Sequence, residues 1–202
     1  VLRNNISSPL KIAVTGGIGS GKSVFCKMLE AKGFLVIKAD TLAKELINSD
    51  ARIRKAIIKT FGNEVYPDGK LDSSYLAKKI FTDPENVKKI NSIVHPVVIS
   101  KIKEAFSDSK ERAVFVEAAL IFEAKMEKMF DHVVLVTAND EIRIERTIKR
   151  DGSSREEVIK RIQNQLPDEK KKGKSHYVFQ NNGTIEELNS KVELLLKILS
   201  LS

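Results

Sequence analysis

The chain has 202 residues, which is enough for one sizeable hydrophobic core with inserted lobes. Hydrophobic residues make up 42% and charged residues 31%, as in an ordinary globular protein, and no apolar run approaches the ~20 residues of a membrane span. The net charge of +8 suits a polyanionic partner, but acidic residues are interspersed and aromatic residues reach only 6%, with no Trp. We therefore expect neither a membrane nor a nucleic acid as partner.

The start of the chain and its cysteine content bear on location. Residues 1–9 are polar and predict a loose leader, and no signal-peptide pattern opens the chain. The single cysteine, Cys26, cannot form an internal disulfide, which fits a reducing compartment. We expect a cytoplasmic protein in which Cys26 is a small buried apolar residue.

Residues 11–23 read KIAVTGGIGSGKS, in which a short apolar strand runs into the pattern G-x-x-x-x-G-K-S. Glycines let the backbone wrap closely around phosphate oxygens, and the next helix adds its N-terminus. The lysine of such a loop reaches the β- and γ-phosphates, and the serine hydroxyl binds Mg²⁺. The pattern predicts a site for ATP or GTP. Its residues are Gly16, Gly17, Ile18, Gly19, Ser20, Gly21, Lys22 and Ser23.

Short apolar segments alternate with helical ones along the chain. The predicted strands are residues 11–15, 34–37, 113–116, 132–137 and 177–179. This alternation predicts an α/β fold, in which a mainly parallel sheet is covered on both faces by helices.

The predicted helices begin with 22–32, which follows the phosphate-binding loop. Residues 41–110 are all-helical and lie between two core strands, so they predict an inserted lobe. Within this lobe, Asp83–Pro84 predicts a helix start, and His95–Pro96 predicts a break.

The C-terminal part predicts helices 140–150 and 155–165, the second with a capping box at Ser154. Thr184 predicts the N-cap of a last helix. Its predicted apolar stripe is Ile185, Leu188, Val192, Leu195 and Leu196.

Two carboxylates follow predicted strands, at the edge of the sheet where ligands bind in such folds. Asp40 is a candidate general base for an acceptor hydroxyl or a partner of Mg²⁺; alternatively, it caps a helix beginning at Thr41. Glu117 is a candidate support for Mg²⁺; alternatively, it is an ordinary polar residue that ends a buried strand.

Three arginines, Arg143, Arg146 and Arg150, recur at helical spacing and share one stripe. A row of guanidinium groups suits phosphate binding and stabilisation of a transferring phosphoryl group. The alternative is a solvated helix face balanced by Glu141 and Glu145.

The chain resembles the dephospho-CoA kinase family from Lys11 to about Leu195. The phosphate-binding loop is shared by many kinases, whereas the ordered set of motifs is far more specific. The motifs are TGGIGSGKS at 15–23, V-I-x-A-D at 36–40, H-P at 95–96, E-A-A-L-I-F-E at 117–123, R-x-x-x-R-D at 146–151 and Y-V-x-x-N-x-G at 177–183.

The resemblance implies a kinase that uses ATP and Mg²⁺ to phosphorylate the 3′-hydroxyl of dephospho-CoA. It implies a P-loop NTPase-type three-layer core with a helical acceptor domain and a helical lid. The implied segments are a nucleotide-binding core of residues 10–40, 111–139 and 175–202, a CoA-binding domain of 41–110 and a lid of 140–174.

The resemblance also assigns roles to individual residues. Asp40 resembles the family's catalytic base, with His95 and Glu117 on the acceptor side. Lys22 and Ser23 keep their ATP and Mg²⁺ roles. In the lid, Arg146 and Arg150 close on the phosphates, and Asn181 lies near the adenine. The chain departs from the family at Lys38, His176 and Gln180, where acids are usual.

Other functions remain open on the sequence. A second candidate is another P-loop kinase, of nucleoside monophosphate or shikimate type, although the long helical lobe favours a bulky acceptor. A remote candidate is a nucleotide-binding switch or a nucleic-acid-binding protein, although no guanine-specifying N-K-x-D pattern appears. The sequence allows a monomer or a small homo-oligomer.

Overall fold

The computed structural model describes residues 8–201, apart from the side chains of Phe81 and Pro84; most of the predicted leader lies outside the described residues. Five strands within that range form one sheet in the order β2-β3-β1-β4-β5, and every neighbouring pair is parallel. The strands are β1 Leu10–Thr15, β2 Leu35–Lys38, β3 Ala113–Glu117, β4 His132–Thr137 and β5 Tyr177–Gln180.

The predicted parallel α/β fold is confirmed. Strand β3 is buried at all five positions, as expected for a strand covered on both faces. The register pairs Val14 of β1 with Glu117 of β3, and Lys38 of β2 with the same Glu117. The carboxyl ends of the strands therefore meet at one edge of the sheet, where the phosphate-binding loop also begins.

The described residues divide into two compact units. The sheet unit runs up to Lys38 and resumes at Asp108, and the helical unit is Ala39–Ser107. No helix within residues 8–201 combines the length and apolar character needed to cross a membrane. The helices are α1 Lys22–Ala31, α2 Ala39–Ser49, α3 Ala51–Phe61, α4 Ser73–Phe81, α5 Pro84–Asp108, α6 Asp140–Asp151, α7 Arg155–Gln163, α8 Asp168–Lys172 and α9 Ile185–Ile198.

The core of the sheet unit is formed by α1 and α9 packed against the central strands. Phe25 of α1 stacks on Phe179 of β5, with ring centroids 5.8 Å apart. Cys26 lies in the same cluster, fully buried as predicted, and burial raises the pKa of its thiol. This cysteine therefore packs as an apolar residue and is protected from reaction.

The predicted helix break at His95–Pro96 was wrong. Helix α5 is 25 residues long, from Pro84 to Asp108, and Pro96 lies inside it. Proline removes one backbone donor, but an apolar residue is buried on nearly every turn around it, and this burial outweighs the lost bond. The buried residues of this stripe are Ile90, Val94, Val98, Ile102 and Phe106.

The capping predictions for the C-terminal helices are confirmed. Ser154 and Glu157 form the reciprocal capping box of α7, and Thr184 accepts a hydrogen bond from the backbone of Glu187 in α9. The predicted stripe of α9 is wrong at Ile185, whose side chain is 58% exposed. Ile185 is the first helical residue, and side chains tilt toward the N-terminus, so it extends past the packed part of the helix.

This contrast within one helix gives a matched stability test. Leu188 is 1% exposed, so we expect Leu188→Ala to lower the free energy of unfolding by about 2–5 kcal/mol. Ile185→Ala should cost less than about 0.5 kcal/mol. Urea unfolding followed by circular dichroism measures both. Equal losses for the two variants would contradict the packing of α9 described above.

Candidate functional site

The phosphate-binding loop connects β1 to α1 and leaves the start of that helix open. Gly21 is the N-cap of α1, and no side chain caps the helix there. The N–H groups of Val24 and Phe25 bond to the carbonyl of Gly21. Uncapped first-turn donors, together with the helix dipole, make a binding place for an anion such as phosphate.

Two glycines of the loop are required by their backbone and their neighbours. Gly19 has φ +76° and Gly21 has φ +92°, in the left-handed region that favours glycine. A Cβ atom at Gly19 would meet the carbonyl oxygen of Arg143, and one at Gly21 would meet the side-chain amide of Asn181. The loop therefore packs against other backbone and side-chain groups at distances that only glycine allows.

Lys22 and Ser23 both donate hydrogen bonds to one oxygen of Glu117. The distances from Lys22 Nζ and Ser23 Oγ to Glu117 Oε1 are each 2.6 Å. The lysine and glutamate side chains are only 11% and 9% exposed. Burial raises the pKa of Glu117, but the charge of Lys22 and these hydrogen bonds outweigh it, so its pKa lies below the usual range. Glu117 is thus a charged partner of the phosphate-binding loop, and it does more than end a buried strand with a polar residue.

The oxygens at this point suit a magnesium ion by their chemistry. Mg²⁺ prefers hydroxyl, carboxylate and phosphate oxygens, and Ser23 and Glu117 supply a hydroxyl and a carboxylate side by side. Residues 8–201 hold no cluster of three or more His, Cys, Asp or Glu side chains spaced for a metal ion. Ser23 and Glu117 therefore fit such an ion only where other oxygens, such as those of phosphates, complete its coordination.

The three arginines of α6 do not share one role. Arg143 is buried, and its Nε donates to the carbonyl of Ile18 at 2.9 Å. Arg146 Nη1 donates to the carbonyl of Asn181 at 2.9 Å. Arg150 is 60% exposed and pairs with the adjacent Asp151. The predicted solvated face is therefore wrong for Arg143, whereas Arg150 remains accessible to an incoming phosphate.

Two further side chains hold the loop. Asn181, which follows β5, donates from Nδ2 to the carbonyl of Ser20 at 2.9 Å. Gln165 accepts a hydrogen bond at Oε1 from the N–H of Ile18, at 3.0 Å. Sequence reasoning missed Gln165, because a glutamine 147 positions away carries no local signal of this contact.

Asp40 and His95 lie in the helical unit. Asp40 was predicted, as one alternative, to cap a helix beginning at Thr41; the helix begins at Ala39, so Asp40 lies inside its first turn. Its carboxylate is exposed and accepts no hydrogen bond from any described residue. Burial lowers the pKa of His95, against an opposing effect of the Asp40 charge, so this histidine is neutral at pH 7.

The residues that depart from the family pattern have partners of their own. Lys38 Nζ lies 2.8 Å from Glu30 Oε1. His176 Nδ1 accepts a hydrogen bond from the backbone of Val133, and Gln180 Nε2 donates to Asn139. All three residues lie at or next to a strand end.

A cavity of about 570 Å³ lies in the sheet unit beside the loop. It is bordered by the ends of β4 and β5, the first turn of α6, and the segment from Ile162 to Glu169. Arg143 and Gln165, which contact the loop at Ile18, also line the cavity. The cavity therefore adjoins the phosphate-binding loop within the sheet unit.

Comparison with known proteins identifies the family. The family model described as dephospho-CoA kinase matches residues 10–187. The chain belongs to the dephospho-CoA kinase family. A dephospho-CoA kinase of Chlorobaculum tepidum is 41% identical, with 92% of each chain covered. One of Fusobacterium nucleatum is 37% identical, with 90% of this chain and 94% of the relative covered.

Solved structures agree with this assignment. The crystal structure of TT1252 from Thermus thermophilus has a TM-score of 0.83 at 34% identity, covering 96% of this chain and 99% of that one. Dephospho-CoA kinase from Campylobacter jejuni has a TM-score of 0.71 at 26% identity, covering 94% and 96%. A shikimate kinase from Acinetobacter baumannii, at 16% identity and TM-score 0.56, shares the fold alone.

The pair of Lys22 and Glu117 gives a stability test with a defined pH dependence. We expect Glu117→Gln to lower the free energy of unfolding at pH 7 by about 1–3 kcal/mol, because a buried ammonium loses its countercharge. The folded pKa of Glu117 lies below its ordinary 4.5, so the stabilisation is complete above that pH and is lost as pH falls through the folded pKa. The two proteins should therefore converge at acid pH in urea unfolding.

The matched control is Glu30→Gln, which breaks the exposed pair with Lys38. It should cost less than about 0.5 kcal/mol at any pH. A Glu117→Gln effect that is as small as this, or that persists unchanged at acid pH, would contradict the role assigned to the ion pair.

Proposed function

We propose that this protein transfers the γ-phosphoryl group of ATP to the 3′-hydroxyl of dephospho-CoA, which produces coenzyme A and ADP. The observation that carries the proposal is the contact of Lys22 and Ser23 with Glu117, where both side chains donate hydrogen bonds at the uncapped start of α1. The chain also aligns with dephospho-CoA kinases over nearly its full length. This combination supplies a phosphate-binding site within a family that acts on one bulky acceptor.

On the donor side, the loop and Lys22 bind and orient the phosphates. The backbone N–H groups at the start of α1 face the anion, and the Lys22 ammonium offsets its charge once it leaves Glu117. When bound, Mg²⁺ would neutralise phosphate charge at Ser23, with Glu117 beside it. The β–γ phosphate bond breaks as the new bond to the acceptor oxygen forms.

On the acceptor side, Asp40 takes the proton of the 3′-hydroxyl. Its carboxylate is exposed and holds no hydrogen bond from the described residues, so it is free to accept one from a hydroxyl group. It lies two residues beyond the end of β2. His95, in the same helical unit, stays neutral and can contact the acceptor as a hydrogen-bonding group without adding charge. Residues 41–110 act as the CoA-binding domain.

Segment 140–174 acts as the lid, and Arg150 is its phosphate-binding group. Arg150 is exposed, and its one ion-pair partner among residues 8–201 is the adjacent Asp151, so it can exchange that partner for the transferring phosphoryl group. Arg146 acts from the same helix, and its contact with Asn181 connects it to the loop. Asn181, whose side chain holds the carbonyl of Ser20 in the loop, lies near the adenine of the bound ATP. The protein works in the cytoplasm.

The acceptor is tested by a coupled assay that compares dephospho-CoA with AMP, CMP and shikimate. We expect turnover with dephospho-CoA alone, because the family that the chain matches carries that specificity. Mass spectrometry of the product should show one added phosphate at the ribose 3′ position. Turnover with another acceptor, and none with dephospho-CoA, would assign the protein to another P-loop kinase class.

The base is tested by Asp40→Asn, which removes the proton acceptor and keeps the size of the side chain. We expect kcat to fall by about 10²–10⁴-fold while the Kd for ATP stays within about twofold. Asp108→Asn is a matched control, since Asp108 is also exposed and accepts no hydrogen bond from the described residues. Near-normal turnover of Asp40→Asn would remove Asp40 as the base.

A further inference from the structure

Arginine is a residue type that often binds phosphate, but the surroundings of Arg143 do not suit that role. Its side chain is 5% exposed, and its Nη1 lies 3.0 Å from Asp140 Oδ1 and 3.6 Å from Asp168 Oδ2. Its Nε donates to the carbonyl of Ile18. Two carboxylates offset its charge, and they would repel a phosphate brought to the same guanidinium.

Ile18 is held at both of its backbone groups. The N–H of Ile18 donates to Gln165 Oε1 at 3.0 Å, while its C=O accepts from Arg143 Nε at 2.9 Å. The two side chains come from α6 and from the connection between α7 and α8, and Asp168 of α8 pairs with Arg143. We call Arg143 and Gln165 the Ile18 clamp.

We propose that the Ile18 clamp is a positioning device that holds the phosphate-binding loop in its nucleotide-binding shape without touching the nucleotide phosphates. The inference rests on the proposed function, in that the loop binds ATP. Glycine-rich backbone loses more conformational entropy than any other when it is ordered. A clamp that orders the loop beforehand removes this cost from binding and lowers the Kd.

Gly17 provides an independent way to disturb the clamp. A Cβ atom at Gly17 would meet the Arg143 guanidinium at Nη2 and would lie 3.2 Å from Gln165 Oε1. The φ of Gly17 is outside the left-handed region, so alanine is compatible with the backbone there. Gly17→Ala should therefore act by displacing the Arg143 side chain.

The experiment measures the Kd for ATP and for ADP by isothermal titration calorimetry on the full chain. We expect Arg143→Ala and Gln165→Ala each to raise both Kd values by about tenfold. Arg143→Lys should rescue only part of the loss, because an ammonium cannot bind the carbonyl and both carboxylates with one planar fork. Arg155→Ala is the matched control; Arg155 pairs with exposed Glu141 and should leave both Kd values unchanged.

The decisive measurement is the double variant Gly17→Ala/Arg143→Ala. If Gly17→Ala acts through the guanidinium, the double variant binds ATP as weakly as Arg143→Ala alone and no weaker. In steady state, the KM for ATP should rise while kcat and the KM for dephospho-CoA stay within about threefold. If Arg143 contacted a phosphate directly, Arg143→Ala would instead lower kcat. If the effects of the two substitutions on the Kd were additive, the alanine methyl would act against the nucleotide and not through Arg143. Either result overturns the proposal.

Failure of the clamp and failure of the proposed function give different results. Unchanged Kd values in Arg143→Ala and Gln165→Ala, with wild-type binding of ATP intact, overturn the clamp alone. ATP binding that depends on the clamp, without turnover of dephospho-CoA, supports the clamp and overturns the acceptor. Wild-type protein that fails to bind ATP overturns both. Thermal unfolding of each variant checks that Kd is measured on folded protein.

Discussion

A loop that binds phosphate must keep its backbone donors uncovered for the anion, so it has to be held by groups from other segments. In this protein, the supports are Glu117 on the helix start, Asn181 on the carbonyl of Ser20, and two side chains on the peptide groups of Ile18. None of these contacts occupies the first-turn donors of α1. The loop can therefore be ordered and open at once.

These supports come from segments that are far apart in sequence, and the parallel sheet brings them together. Glu117 is the last residue of β3, and Asn181 directly follows β5. Parallel pairing places the carboxyl ends of both strands at the edge where β1 passes into the loop. The fold thus determines the site, since an antiparallel strand in either position would present its carboxyl end at the opposite edge of the sheet.

The sequence predicted what depends on local patterns. The strands, the phosphate-binding loop and the caps at Ser154 and Thr184 each have a signal within a few residues, and the structure has them. The continuation of α5 through Pro96 could not be predicted from the local pattern. One apolar residue is buried on nearly every turn of this helix, and this burial outweighs the tendency of the proline to end a helix. The contact of Gln165 with Ile18 joins positions 147 apart, and only tertiary structure reveals such a pair.

The arginines of α6 show why residue type and spacing do not determine role. Arg143 and Arg150 are seven positions apart, about 10 Å along one helix, and what separates their roles is the number of carboxylates and carbonyls around each. Arg143 is bound in the first turn to the loop, and Arg150 is accessible in the last. A movement that carried the whole segment 140–174 away from the loop would break the contacts of Arg143 and Gln165 with Ile18 together. If segment 140–174 is the lid that we propose, its opening would therefore also loosen the phosphate-binding loop, unless the chain bends after α6 at Gly152, whose φ is +67°.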